Sequence, residues 1–307
     1  MLRKTALFAG IAAVLGALAF YLLTRPVTFS AADLPDHTPD IANGETMFIV
    51  GGCANCHAVP DGECSSLDIE DETLLAGGRC LKTDVGTFFV PNISPDKETG
   101  IGAWSTLDFV NAMKRGVSPD GVHLYPSFPY TSYQRMQFEG LIDLKAYLDT
   151  LPPVESSVPA NDLRFPYNIR SGVGLFQRLY VDGKTFEPDP EASDAVNRGA
   201  YLVLGPGHCT ECHSPRNGLG AIIAGRAFTG APSLEGEGRS PDITQSKSGI
   251  GDWSQEDIEY FLETGSTPDF DVVGEAMVLV QEDMERLSQE DREAIAAFLK
   301  TLPARDE

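Results

Sequence analysis

Two pentapeptides in this chain have the residue types and spacing to do chemistry: Cys53-Ala54-Asn55-Cys56-His57 and Cys209-Thr210-Glu211-Cys212-His213. Each sets two thiols three residues apart, placed to form thioether bonds to the two vinyl groups of a porphyrin. The histidine beside the second thiol can then reach the iron from the proximal side. Zinc would need further Cys or His at finger-like spacing, and a thioredoxin-type dithiol would need a βαβ context; the sequence shows neither. Two such motifs predict two covalently attached haems c, with Cys53, Cys56, Cys209 and Cys212 as attachment points and His57 and His213 as iron ligands.

An iron that transfers electrons and holds one His takes Met or His on its other side. In the second half that ligand is predicted to be Met277, in the stretch Gly274-Glu275-Ala276-Met277, 24 residues after Trp253. Met284 competes with it but adjoins a helix, and a Met filling core space is the plainer reading of either. The residue 24 places after Trp104 is Phe128, which cannot bind iron. Four readings stay open for the first half: Met136, His123 in a loop expected at the surface, Met113, or an open coordination position. Met136 is the best protein ligand among them, although its alignment with Leu287 suits core packing equally. Cys64 and Cys80 remain, an even number in an exported chain, so they are expected to form a disulfide, with thiolate ligation of the first haem as the alternative.

These residues must be positioned by elements that the chain carries twice. Asn92-Ile93-Ser94 and Gly100-Ile101-Gly102-Ala103-Trp104-Ser105 recur as Asp242-Ile243-Thr244 and Gly249-Ile250-Gly251-Asp252-Trp253-Ser254, and Tyr147 to Pro152 recurs as Phe298 to Pro303. Each half therefore reads as haem motif, irregular loop, Trp motif, helix, then a closing helix stopped by proline. Leu141, Leu144, Leu148 and Leu151 form one closing stripe, and Ile295, Phe298, Leu299 and Leu302 form the other. Ser288 and Asp291 suggest a capping box. Short helices around Gly44–Ile49 and Asn197–Leu204 precede the motifs, with Phe48 and Tyr201 placed to pack on the closing helices. The expected division is a first domain over 41–154, a linker over 155–193 that crosses one domain and holds an apolar patch at Val173–Tyr180, and a second domain over 194–307.

At the N-terminus, Arg3 and Lys4 precede an uncharged run from Ala6 to Leu23. As a helix this run is about 27 Å long, near the thickness of a hydrocarbon core. Ala17-Leu18-Ala19 has the spacing of a signal cleavage site, but the apolar run continues past it, so residues 1–27 read as an uncleaved anchor. Either reading exports the rest of the chain. Lys and Arg number 23 against 45 Asp and Glu, for a net charge of −22, which excludes nucleic acid as a partner and favours one with a basic face.

The chain resembles the cytochrome c subunits of bacterial membrane-bound alcohol and gluconate dehydrogenases and related periplasmic dehydrogenase cytochromes. The resemblance lies in Ala76-Gly77-Gly78-Arg79, Pro91 to Asp96, Thr99 to Ser105, Leu124 to Tyr130, and Arg198 to Val203 leading to Cys209 through Asn217. It spans about residues 40 to 304. It implies a mainly α chain of two tandem class I cytochrome c domains after the N-terminal transmembrane helix, on the periplasmic side of the inner membrane. The role implied is a relay, not an enzyme: electrons pass from a periplasmic or membrane-bound dehydrogenase subunit to a downstream cytochrome, oxidase or quinone of the respiratory chain. It also implies that Arg79 contacts a haem propionate and that Trp104 and Trp253 line the haem pockets. Two features depart from the family: Phe128 stands where its alcohol dehydrogenase subunits usually have Met, and many of them carry three haems. Phe128 keeps an alternative in view, a dihaem redox enzyme of peroxidase-like or thiosulfate-oxidising type with an open first haem.

Overall fold

Twelve helices and a few short strands make up the computed structural model, which describes residues 2–69, 71–233 and 238–305. The uncharged run forms α1 (Leu2–Leu23); Lys4–Leu23 is long and apolar enough to cross a bilayer, and no part of it is buried by the rest of the chain. The first half follows as α2 (Ile41–Val50), α3 (Cys53–His57), the hairpin β1 (Cys80–Thr83) and β2 (Gly86–Phe89), then α4 (Thr106–Arg115), α5 (Tyr130–Tyr133) and α6 (Phe138–Leu148). After β3 (Asp162–Leu163) and α7 (Val173–Tyr180), the second half runs α8 (Asp194–Leu204), α9 (Thr210–His213), β4 (Ala231–Pro232), β5 (Arg239–Ser240), α10 (Gln255–Thr264), α11 (Met277–Glu285) and α12 (Gln289–Thr301).

The two expected helices ahead of the motifs each begin about a turn earlier than their apolar spacing suggested. Asp40 accepts from the backbone of Ala42 and Asn43, and Ser193 from that of Val196, so a cap sets each start. Helix α2 packs on α6 and α8 on α12, both through a glycine. A Cβ on Gly44 would collide with the carbonyl of Asp143, and one on Gly199 with that of Ala294. Phe48 meets Tyr147 of α6 with ring centroids 5.3 Å apart, as expected. Tyr201 reaches into the first half: its hydroxyl lies 3.7 Å from Met47 Sδ and beside Gly140 of α6. One continuous core runs from Met47 and Leu141 through Tyr201 and Leu202 to Leu299 and Leu302.

Helices α4 and α10 repeat each other down to their caps. Ser105 with Asp108 and Ser254 with Asp257 form full capping boxes, and Gly116 and Gly265 end the helices at positive φ (62° and 72°). The expected box at Ser288 is half made: Ser288 accepts from Asp291 N, but the Asp291 carboxylate pairs with Arg198 instead, at 2.7 Å. Residues 155–193 strap across the first half. Strand β3 pairs antiparallel with β2, Gln177 donates to Gly116 O at 2.8 Å, and Phe186 N donates to Arg135 O at 2.9 Å. Cys64 and Cys80 form the expected disulfide.

Candidate haem-attachment sites

Each attachment motif folds as a single helical turn that ends on its histidine: α3 holds both cysteines of the first motif, and α9 holds Cys212 with Cys209 as its N-cap. Cys53, Cys56, Cys209 and Cys212 are outside any disulfide. Burial pushes the Cys53 and Cys209 thiols up to about 12, so both are neutral. His57 Nδ1 lies 2.8 Å from Pro91 O, and His213 Nδ1 lies 2.8 Å from Pro241 O. A carbonyl can only accept, so Nδ1 carries the proton in both rings and Nε2 keeps its lone pair for a metal. Burial also lowers both imidazoles, His57 to about 4, which keeps them in the neutral, ligating form. The sequence carried a signal for these orienting carbonyls: Pro91 and Pro241 each open a repeated Pro-(Asn/Asp)-Ile-(Ser/Thr) segment.

Arg79 is buried against the first turn, where Nη1 donates to Asn55 O at 2.5 Å and lies 3.9 Å from Cys56 Sγ. Trp104 and Trp253 are half-buried on the core at matching places, their backbone NH groups bonded to Ile101 O and Ile250 O. Among the methionines, Met136, Met113 and Met284 are all packed in the core. Met277 is half-buried and opens helix α11; the irregular stretch expected around it stops one residue earlier. His123 is no surface residue. It is buried, with Nδ1 at 2.5 Å from Gln177 Oε1 and Nε2 at 2.6 Å from Thr24 O, so neither nitrogen is left for iron. Phe128 stacks edge-on against Tyr133, centroids 5.4 Å apart.

Sequence reasoning missed the third residue of each motif. Asn55 Nδ2 donates to Asp283 Oδ2 of α11 at 2.8 Å. Glu211, itself buried, accepts from Thr131 at 2.6 Å and Ser132 at 2.9 Å in α5, and pairs with Arg216 at 2.6 Å. Each attachment turn is thus bonded to a helix of the opposite half. Burial raises Asp283 to about 6 despite its bond to Asn55.

Among the described residues no three His, Cys, Asp or Glu side chains gather as a metal-holding group. Paired thiols on one turn, with an oriented neutral imidazole beside them, fit haem c: the thiols would attach the porphyrin and the imidazole would hold its iron.

No protein-family model matches the chain. It is 45% identical over 302 residues to a "Diheme cytochrome c-type" protein of Cereibacter sphaeroides, covering 98% of this chain and 99% of that one. It is 32% identical over 309 residues to the gluconate 2-dehydrogenase cytochrome c subunit of Pantoea cypripedii, and 32% over 288 residues to the cytochrome c subunit of a quinone alcohol dehydrogenase of Gluconobacter oxydans. The matches cover 96% and 91% of this chain but 65% and 58% of those longer subunits. With two attachment turns of the same construction and a full-length dihaem relative, the chain belongs to the dihaem c-type cytochromes, electron-transfer proteins with two covalently bound haems c.

Proposed function

We propose that this cytochrome is held at the periplasmic face of the inner membrane by α1, takes electrons from a dehydrogenase subunit, and passes them to a downstream cytochrome, oxidase or quinone. In this reading residues 41–154 and 194–307 are tandem class I cytochrome c domains and 155–193 is the strap between them. Haem iron, when bound, supplies the one-electron chemistry. The protein's part is to hold His57 and His213 neutral and aimed through Pro91 and Pro241, to shield the pockets with Trp104 and Trp253, and to offer Arg79 as a cation to a buried propionate. Met277 would hold the second iron together with His213. Met136 would hold the first only on leaving its place in the core, the alternative being a first iron with no second protein ligand.

The observation that carries the reading is the matched pair of histidine–proline bonds, one in each half, at equal distances. The enzymatic alternative needs an acid–base group beside an open iron, and His123, the one residue the sequence offered, is engaged at both nitrogens. The test is denaturing mass spectrometry for two haem additions, with spectra of Met277→Ala and Met136→Ala. Met277→Ala should abolish one methionine-to-iron charge-transfer band and lower one reduction potential. Bands that survive both substitutions refute the ligand assignment. Uptake of carbon monoxide by one haem of the unmodified protein identifies the first position as open. Copurification from native membranes identifies the electron donor.

A further inference from the structure

Between Asp162 and Asp182 lie nineteen residues without a carboxylate, in a chain that carries 45 of them, and they include Arg164, Arg170 and Arg178. The same stretch exposes large apolar side chains: Phe165 is 76% exposed, Leu179 66% and Tyr167 55%, with Ile169 and Leu175 also open. Leu175 and Leu179 stand four residues apart on α7, hence on one face of it, while Gln177 points inward to Gly116. A basic, apolar surface on a chain of charge −22 calls for a partner that is both anionic and apolar.

Its position says which. Thr24, at the end of α1, is buried, and His123 ties its carbonyl to Gln177 of α7. Gly174 of α7 packs so closely on Thr24 that a Cβ there would lie 2.7 Å from the Thr24 oxygen. Arg170 closes the cluster by donating to His123 O at 3.2 Å while its guanidinium lies over the Tyr125 ring. The patch therefore begins where the apolar helix leaves the globular part. We propose that residues 163–181 form a membrane-facing foot, with Leu175, Leu179, Phe165 and Tyr167 entering the interface and Arg164 and Arg178 meeting anionic lipid headgroups. This rests on the reading of α1 as an uncleaved anchor. Two attachments, helix and foot, fix the orientation of the haem-bearing part at the bilayer, where one helix alone would let it swivel.

The experiment uses the full haem-loaded chain in nanodiscs of equal parts phosphatidylglycerol and phosphatidylcholine, in neutral phosphatidylcholine discs, and in detergent, read by hydrogen exchange. Amides of 163–181 should be protected most in the anionic discs. Arg164 and Arg178 have exposed side chains, so Arg164→Gln and Arg178→Gln should leave the haem spectrum unchanged while each weakens the protection roughly fivefold. Leu179→Ser should weaken it in both kinds of disc. Equal exchange in anionic discs and detergent overturns the proposal, as does protection that appears only when a dehydrogenase subunit is added, since the face would then belong to a protein. N-terminal sequencing separates the two levels. A chain that begins beyond α1 overturns the anchor reading and the foot with it, whereas an intact N-terminus with unprotected 163–181 overturns the foot alone.

Discussion

Asp283→Asn should stabilise this protein, and by an amount that depends on pH. Asp283 is 7% exposed at the seam between the halves, accepts from Asn55 at 2.8 Å and lies 3.7 Å from Arg286. Burial, with help from Glu72 and Glu282, outweighs those contacts and raises its pKa from 3.8 to about 6. Between those values the native chain holds a proton that the unfolded chain has released, so native stability falls as pH rises through the window. Roughly two pKa units at about 1.4 kcal/mol each make the loss about 3 kcal/mol, absent below about pH 4 and complete above about pH 6. Asn cannot ionise, and its oxygen still accepts from Asn55. The variant should therefore match the parent near pH 4 and exceed it by about 3 kcal/mol near pH 7. Guanidinium denaturation of both proteins, followed by Soret absorbance across that range, measures the difference with all other groups cancelled. An advantage that does not grow with pH, or a variant less stable than the parent at neutral pH, would refute the reasoning. Asn55→Leu supplies the opposite perturbation: it strands the carboxylate without its donor and should cost about 1.5–3 kcal/mol at neutral pH.

Glu211→Ala should cost about 3 kcal/mol or more in the same assay, because it leaves Arg216 without its carboxylate and Thr131 and Ser132 without their acceptor. Glu211→Gln keeps the acceptor and should lose less; equal losses would show that the hydroxyl bonds contribute nothing. Replacing Cys64 and Cys80 together with Ser opens a link across a separation of 16 residues and should lower stability by about 3 kcal/mol. The mass should still show two haem additions, since neither residue belongs to an attachment turn.

Chemistry was more legible in the sequence than geometry was. The C-x-x-C-H spacing is local, so the attachment turns could be read directly, and the repeat found the helices because their stripes and caps are local too. His123 was misplaced for the opposite reason. Its neighbours Gly121 and Val122 look like a surface loop, and what buries it, Thr24 and Gln177, lies 99 and 54 residues away. The setting of Met277 was misjudged by one residue, because Gly274 and Glu275 signal a loop while the helix that follows has no side-chain cap to announce it. Asn55 and Glu211 were passed over as the variable letters of a motif. Their partners in the other half are invisible to any reading that treats the halves in turn.

Those two residues explain why the halves share one core. Asn55 and Glu211 hold the same place in their motifs, and the offset of 151 residues that relates Leu151 to Leu302 also relates Ser132 to Asp283. The bond from Asn55 to Asp283 and the bond from Ser132 to Glu211 are therefore one contact made twice, with donor and acceptor exchanged between motif and helix. In such a repeated contact donor and acceptor can exchange places so long as one side donates and the other accepts. In both contacts the first half donates and the second accepts, with the carboxylate on the helix at Asp283 and on the motif at Glu211. The electrostatic consequences differ accordingly. Glu211 has Arg216 beside it at 2.6 Å, whereas Asp283 has Arg286 at 3.7 Å, and burial raises the Asp283 carboxyl. Around these bonds, Tyr201 reaches Met47 and Gly205 lies against the Met136 side chain, so each half completes the packing of the other near its attachment turn. The spacing and orientation of two such turns are then properties of the seam, and an electron relay depends on both.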